Sequence, residues 1–362
     1  MNFAGARMLH LRTAGSFAGA LGFFGLLLSL TLAPAYGQGA QSAAADRPWL
    51  DPALLKAAQA EGSLTVYSST NEQEGLPLWK IFEDATGIKV NYIRGADGPL
   101  MGRIAMEYRS SGQNTWDILQ TTTLNKVPPE LLASFDPYEA KNILPEARDP
   151  GRRWYGVYAN YNTPSFNTQH VKPSELPQSY EEFVTRKEWA GKIAIDRSDN
   201  EWLKGIMIHY GEEKGTKLIK DIVANLNPVV VDGHLALARS VGSGEYLVAL
   251  NQYLMLTMNV KLAGNPTDFW ALDPVVLLFG QVGVNVKAPH PNAARLGANF
   301  MLSKESQQFL AKFGRIPTRS DVTSNPPGIV ETLKKKKIIT VLLTPEEEKQ
   351  WQKTFDALFK PR

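Results

Sequence analysis

Positions 64–67, Leu64-Thr65-Val66-Tyr67, form a short apolar run that ends abruptly in the small polar residues Ser68-Ser69-Thr70-Asn71. Its β-branched and aromatic content predicts a buried strand of a parallel sheet. Leu78, Phe82 and Ala85 then recur at helical spacing, which predicts a helix over 72–85, with Thr70 or Asn71 placed to cap it and Gly87 to end it. The cycle repeats. Positions 88–93 form a second strand, and Gly95-Ala96-Asp97-Gly98 a second turn with Asp97 placed as a cap. Leu100, Ile104 and Tyr108 mark one face of a helix over 99–110, with Pro99 in its first turn. A third strand, 116–120, ends in Thr121-Thr122-Thr123. Strand and helix alternating at this spacing predict right-handed βαβ units and an α/β fold. A helix starting at the carboxyl end of a strand aims free backbone N–H groups into the crevice where open α/β sheets bind ligands. Three such turns, rich in hydroxyl groups, predict a binding edge.

Beyond the third turn the periodicity lapses, and 128–153 gathers prolines and charges, as expected of a surface path. The aromatic stretch 154–161 suits core or interface filling better than a ligand clamp. Pro164, Pro173 and Pro177 mark a change of unit, with the chain crossing to a second domain near Ser165. There Ser179 and Glu182 have capping-box spacing, and 192–196 is a strand. Arg197-Ser198-Asp199-Asn200 is a fourth strand-to-helix turn, leading to a helix with Trp202, Ile206 and His209. Helices are expected over 213–226 and 235–241, and strands over 229–231 and 246–250, the last ending at Asn251-Gln252-Tyr253. The apolar stretch 275–286 is expected to return the chain to the first domain. One helix over 291–313 and a capped helix within 344–359 follow, and the lysines at 334–337 form a solvated face.

The amino end is a different material. Residues 1–35 carry Arg7 and Arg12 as their only charges, an apolar run over 14–32, and Ala33-Pro34-Ala35, the features of a secretory signal. An apolar run of that length also suffices for an uncleaved anchor. Removal is the expectation, with 36–45 left as a flexible amino terminus. It lowers the formal charge from +3 to +1, so charge gives no case for nucleic acid or an anionic membrane surface as a partner. The absence of cysteine excludes a disulfide scaffold, a thiolate metal site and a cysteine nucleophile.

Several segments together carry a resemblance. Val66-Tyr67-Ser68-Ser69, Ala85-Thr86-Gly87-Ile88-Lys89-Val90, Trp116-Asp117-Ile118, Phe166-Asn167-Thr168, Trp189-Ala190-Gly191-Lys192-Ile193-Ala194-Ile195, Gly244-Glu245 and Lys287-Ala288-Pro289-His290-Pro291-Asn292 occur in an order and spacing spanning most of the mature chain. In these the chain resembles the substrate-binding proteins of bacterial ABC transporters, most closely the iron(III)-binding family of periplasmic ferric-binding proteins. The resemblance implies a two-lobed type II periplasmic binding fold, each lobe a mostly parallel sheet flanked by helices. It implies a hinge, with 46–165 and 276–320 forming one lobe and 166–275 and 321–362 the other. It also implies a periplasmic transport role, a small-molecule solute and an inner-membrane ABC permease as partners, and a monomer.

The family's iron ligands are a histidine, a carboxylate and two adjacent tyrosines, which suit a hard trivalent cation. The matching positions here are Asn71, Thr122 and Leu254-Met255, or Tyr253-Leu254 with one residue gapped. The expectation is therefore no cofactor and no metal, with Fe3+ as solute only under the alternative reading. The candidate ligand-binding residues are Ser68, Ser69, Thr70, Asn71, Asp97, Thr121, Thr122, Thr123, Arg197, Ser198 and Tyr253, suited to a small polar organic or oxyanionic solute. Two rival classes are a secreted hydrolase and a structural envelope protein. No Gly-x-Ser-x-Gly, His-Glu-x-x-His, P-loop or Gly-x-Gly-x-x-Gly motif occurs, and His209 and His290 sit where structural roles are expected. The expectation is a binding protein, not an enzyme.

Overall fold

The computed structural model describes residues 47–111 and 115–359, so the expected leader and the flexible segment 36–45 lie outside the described residues. The first three cycles form as the apolar pattern requires. Helix α1 (Pro52–Glu61) leads into β1 (Ser63–Ser68), α2 (Glu72–Thr86), β2 (Lys89–Arg94), α3 (Asp97–Ser111) and β3 (Ile118–Thr121). β1 lies between β2 and β3, parallel to both, with Leu64 opposite Val90 and Val66 opposite Ile118. Asn71 caps α2 by accepting from the Glu74 N–H at 3.1 Å, and Gly87 closes it in the left-handed conformation that glycine adopts freely. Asp97 corrects the sequence reading, because it lies within the first turn of α3 instead of preceding it.

The aromatic stretch and the proline after it form one strand, β4 (Trp154–Asn167), buried along its whole length. Pro164 offers no N–H to a ladder, and the pairing shifts register between Thr163 and Ser165, so the strand passes through the proline without a break. The remaining strands are β5 (Ile193–Asp196), β6 (Val229–Val231), β7 (Val248–Tyr253), β8 (Thr267–Phe269), β9 (Val275–Val284), β10 (Ile316–Pro317) and β11 (Ile338–Thr340). The main path of the mixed sheet is β2-β1-β3-β9-β4-β7-β5-β6. The strands β9 and β4 are antiparallel at its centre, with parallel β2-β1-β3 on one side and parallel β7-β5-β6 on the other.

Two large apolar clusters flank this centre. Leu64, Trp79, Phe82, Leu296 and Phe300 belong to the first, where the Trp49, Trp79, Phe82 and Phe300 rings approach to 4.9–5.9 Å between centroids. Phe183, Trp202, Ile206, Ile222 and Leu250 belong to the second. Segment 321–362 contributes to both, Ile329 and Leu333 to the first and Val341, Leu343 and Phe355 to the second. Two local expectations fail. The helical stretch 291–313 is two helices, α8 (Pro291–Leu302) and α9 (Lys304–Ala311), because Ser303 leaves the first to cap the second at 3.1 Å. Ser179 makes no capping bond, and Glu182 accepts from the Gln178 N–H at 2.8 Å. Among the described residues, no helix is long and apolar enough to cross a membrane.

Candidate functional site

The carboxyl ends of β1, β2 and β3 deliver one polar wall. Ser68 Oγ donates to Gln120 Oε1 at 3.0 Å, Gln120 Nε2 donates to Thr70 Oγ1 at 3.1 Å, and the Thr70 N–H donates to Ser68 Oγ at 3.0 Å. Ser68 and Thr70 are thus buried and bonded to each other's surroundings, so they shape the wall from within. Ser69 is half-buried, with its N–H given to Gln120 O at 2.9 Å. The Thr121 and Thr122 hydroxyls donate to the two oxygens of Asp97, and Thr121 and Thr123 lie 3.0 Å apart through their hydroxyls. These bonds draw the amino end of α3 against the end of β3.

The floor is β4. Alternation along a strand places Tyr158, Asn160 and Asn162 on one face. Gly280 on β9 makes room for the first of them, since a Cβ there would lie 2.1 Å from the Tyr158 ring. The Arg315 guanidinium sits 4.0 Å from that ring's centroid and pairs with Glu74, whose other oxygen accepts from Asn71. Both side-chain atoms of buried Asn160 and the Oδ1 of Asn162 have no hydrogen-bond partner.

The second wall comes from the ends of β5, β6 and β7. Asp196 ends β5, and Asp199 caps α4 (Asn200–Tyr210) by accepting from the Trp202 N–H at 3.1 Å. Both carboxylates are wholly buried. Asp196 Oδ1 accepts from the Ser198 N–H at 2.8 Å and its hydroxyl at 2.6 Å, and Asp199 Oδ2 accepts from Asn162 Nδ2 on the floor. His234 opens α6 (His234–Ser243), and its Nε2 lies 3.5 Å from Asp196 and 3.6 Å from Asp199. Tyr253 stacks on this imidazole at 3.6 Å between centroids.

Electrostatics ties the walls together. Asp199 is held well above the ordinary carboxylate range, first by burial and then by the nearby Glu201 and Asp196. Burial lowers the His234 value against the pull of Asp196, which disfavours the charged imidazole. The Tyr253 phenol is pushed far up by burial and then by Asp199, Glu201, Asp97 and Asp196. Asp97 belongs to the first wall and acts on residues of the second. Behind the site, Lys126 bridges Glu201 and Glu348 at 2.8 and 2.7 Å, joining the segment after β3 to α4 and to α10 (Pro345–Leu358).

The structure brings Thr70, Asp97, Thr121, Thr122 and Tyr253 to this cleft, while Asn71 is engaged as a cap. Arg197 is not part of it, because its side chain turns outward to pair with Asp356 at 3.3 Å, and Ser198 is exposed and serves Asp196. Reading the sequence missed Asn160, Asn162, Asp196, Asp199 and His234. Their available signal was positional, since Asp196 and Asp199 flank the fourth turn and His234 begins a helix directly after a strand. Outside the cleft, His290 bonds Asp117 at 2.9 Å and Ser63 at 3.0 Å, the structural role expected of it.

An α/β sheet with two polar walls meeting over central crossing strands defines a two-lobed solute-binding protein. Residues 126–341 match the family model described as bacterial extracellular solute-binding protein, and the chain belongs to that family. It is the substrate-binding component of an ABC importer, of the type II periplasmic binding fold. Iron uptake protein A1 of Synechocystis sp. is 28% identical over 69% of this chain and 73% of that protein. A putative 2-aminoethylphosphonate-binding periplasmic protein of Salmonella paratyphi A is 27% identical over 73% of this chain and 81% of its own length. The structure of the periplasmic binding protein AfuA from Actinobacillus pleuropneumoniae, with exogenous fructose-6-phosphate bound, superposes with a TM-score of 0.71 at 21% identity, over 83% of this chain and 99% of that one. The relatives named include periplasmic proteins, which places this chain among periplasmic binding proteins.

Proposed function

We propose that the two halves close over a small polar organic or oxyanionic solute, in the periplasm, after residues 1–35 are removed. One observation carries the reading: the strand ends of both halves deliver polar side chains to a single face of β4, where buried Asn160 and Asn162 keep unused hydrogen-bonding atoms. Buried polar atoms are normally satisfied, and a solute with several polar groups supplies the missing partners. A crevice of about 500 Å³ opens beside Asn71, lined from one side by Gln73 and Phe313 and from the other by Leu235 and Arg239. The relatives' names, for iron, 2-aminoethylphosphonate and a sugar phosphate, all concern small polar solutes. The chain acts as a monomer, hands its solute to an inner-membrane permease, takes no cofactor, binds no nucleic acid and turns nothing over.

Iron(III) is not held through a tyrosine pair. Leu254 and Met255 are apolar and buried, Asn71 is committed to Glu74, and Thr122 offers only a neutral hydroxyl. Native mass spectrometry of the protein taken from the periplasm tests the reading. A mass excess of one small molecule, released on denaturation, is expected on a chain lacking its first 35 residues. A bare chain that no solute stabilises, or Met1 intact in the membrane fraction, overturns it.

A further inference from the structure

We propose that the second wall is a cation subsite, in which Asp196, Asp199 and Asn162, grouped around His234 and Tyr253, seat an ammonium group of the solute. This rests on reading the cleft as the solute site, and it adds the chemical class of what binds there. Two wholly buried carboxylates approach one imidazole nitrogen to 3.5 and 3.6 Å. His234 is itself only 7% exposed, and neither of its ring nitrogens has a hydrogen-bond partner. Asp196 Oδ2 and Asn162 Oδ1 are likewise buried acceptors with nothing to accept.

A buried carboxyl group either takes a cation or gives up its charge, and a bound cation would hold Asp199, whose value burial raises, in its charged form. Among the described residues, no lysine or arginine pairs with Asp196 or Asp199, whose ion-pair neighbour is His234. Lys126 is held by Glu201 and Glu348, Arg197 faces Asp356, Arg315 is paired with Glu74, and burial disfavours a charged His234. From the opposite wall Asp97 brings a third carboxylate, whose partners are the neutral hydroxyls of Thr121 and Thr122.

An ammonium group matches this wall on each count. It offers three N–H donors to unpaired acceptors, a positive charge to carboxylates, and, if methylated, a cation to the face of Tyr253. An oxyanion in the same place would meet only like charge, so any anionic end of the solute points away from Asp196 and Asp199. A metal ion fits less well, because Asp196 Oδ1 already accepts from Ser198 and the two Asp199 oxygens accept from Asn162 and the Trp202 N–H, which leaves Asp196 Oδ2 as the unengaged oxygen of the pair.

Isothermal titration of the full-length protein, freed of retained solute, with matched probes tests the proposal. The pairs are 2-aminoethylphosphonate against ethylphosphonate, ethanolamine against ethylene glycol, and choline against its neutral carbon isostere. At least one amine should bind, with its amine-free partner weaker by about tenfold or more. Asp196→Asn and Asp199→Asn should each weaken the amine by about tenfold or more without a matching loss for its amine-free partner. Asparagine caps helices as well as aspartate does, so α4 stays formed, and circular dichroism of each variant verifies it. Amine-free partners binding as tightly as amines, or binding of ethylphosphonate alone, overturns the ammonium subsite and leaves the cleft as the solute site. If no probe binds, the solute found by native mass spectrometry decides: one without a basic or quaternary nitrogen overturns the subsite, and one with it supports the subsite. A chain that binds no probe and retains nothing removes both readings.

Discussion

Replacing Asp199 with asparagine should stabilise the solute-free protein at neutral pH while weakening solute binding. Asp199 is wholly buried, with the acidic Asp196 and Glu201 nearby, His234 at 3.6 Å, and, among the described residues, no lysine or arginine paired to it. Its carboxyl is raised in the folded state. Its contribution to stability is therefore fully present below the unfolded value of about 3.9 and is lost as pH rises through the folded value. Asparagine, neutral at every pH, avoids that loss, which is worth about 1.4 kcal/mol for each pH unit between the unfolded and folded values. The asparagine keeps an oxygen for the Trp202 N–H but loses the acceptor of Asn162 Nδ2, a loss of about 1 kcal/mol. The gain exceeds that loss at pH 7 once the folded value stands more than about one unit above the unfolded one, as a value raised well above the ordinary range does. Urea denaturation followed by tryptophan fluorescence, from pH 7 down to pH 4, measures it. The variant's advantage should be largest at pH 7 and shrink as the pH falls toward the ordinary carboxylate range. Glu107, Asp149, Glu181, Asp321 and Glu347, all held low in the fold, contribute equally to both proteins and cancel in the difference. A variant less stable than the parent by 1 kcal/mol or more at every pH would show that the Asp199 charge is already offset, and would refute the reasoning.

Three further outcomes are expected. Lys126→Met leaves Glu201 and Glu348 facing each other in a largely buried position and should cost about 3 kcal/mol in urea denaturation, with part restored by adding Glu201→Gln. Asn71→Ala removes the cap of α2 and should lower stability by about 1 kcal/mol, measured in the same way. Ferric citrate should produce no visible tyrosinate band, and Tyr253→Phe should leave the spectrum unchanged; a band lost in that variant would restore iron as the solute.

The three βα cycles are plain in the sequence because each element's own periodicity and cap residues agree with its tertiary role, as with Asn71 and Gly87 around α2. The misreadings fall where local and long-range demands diverge. Pro164 has the look of a boundary, yet a register shift in the pairing lets β4 run through it. Ser303 lies hidden in a continuous helical pattern, and only the packing of two helices makes it a cap. For the cleft, the turns were legible but the directions of their side chains were not. Ser68 turns to Gln120, and Arg197 turns to Asp356 on a helix more than a hundred residues away. His234 carries no motif, and Asn160 and Asn162 are masked by the aromatics between which they alternate. Their importance arises only when β4, β5 and α6 meet.

If the two halves close on a solute, small-angle scattering of the full-length protein will register it directly. The solute released from native protein, or an amine probe with measured binding, should reduce the radius of gyration, because contacts to both walls form only when they meet. An unchanged radius of gyration at saturating solute would contradict closure and leave a rigid cleft in its place.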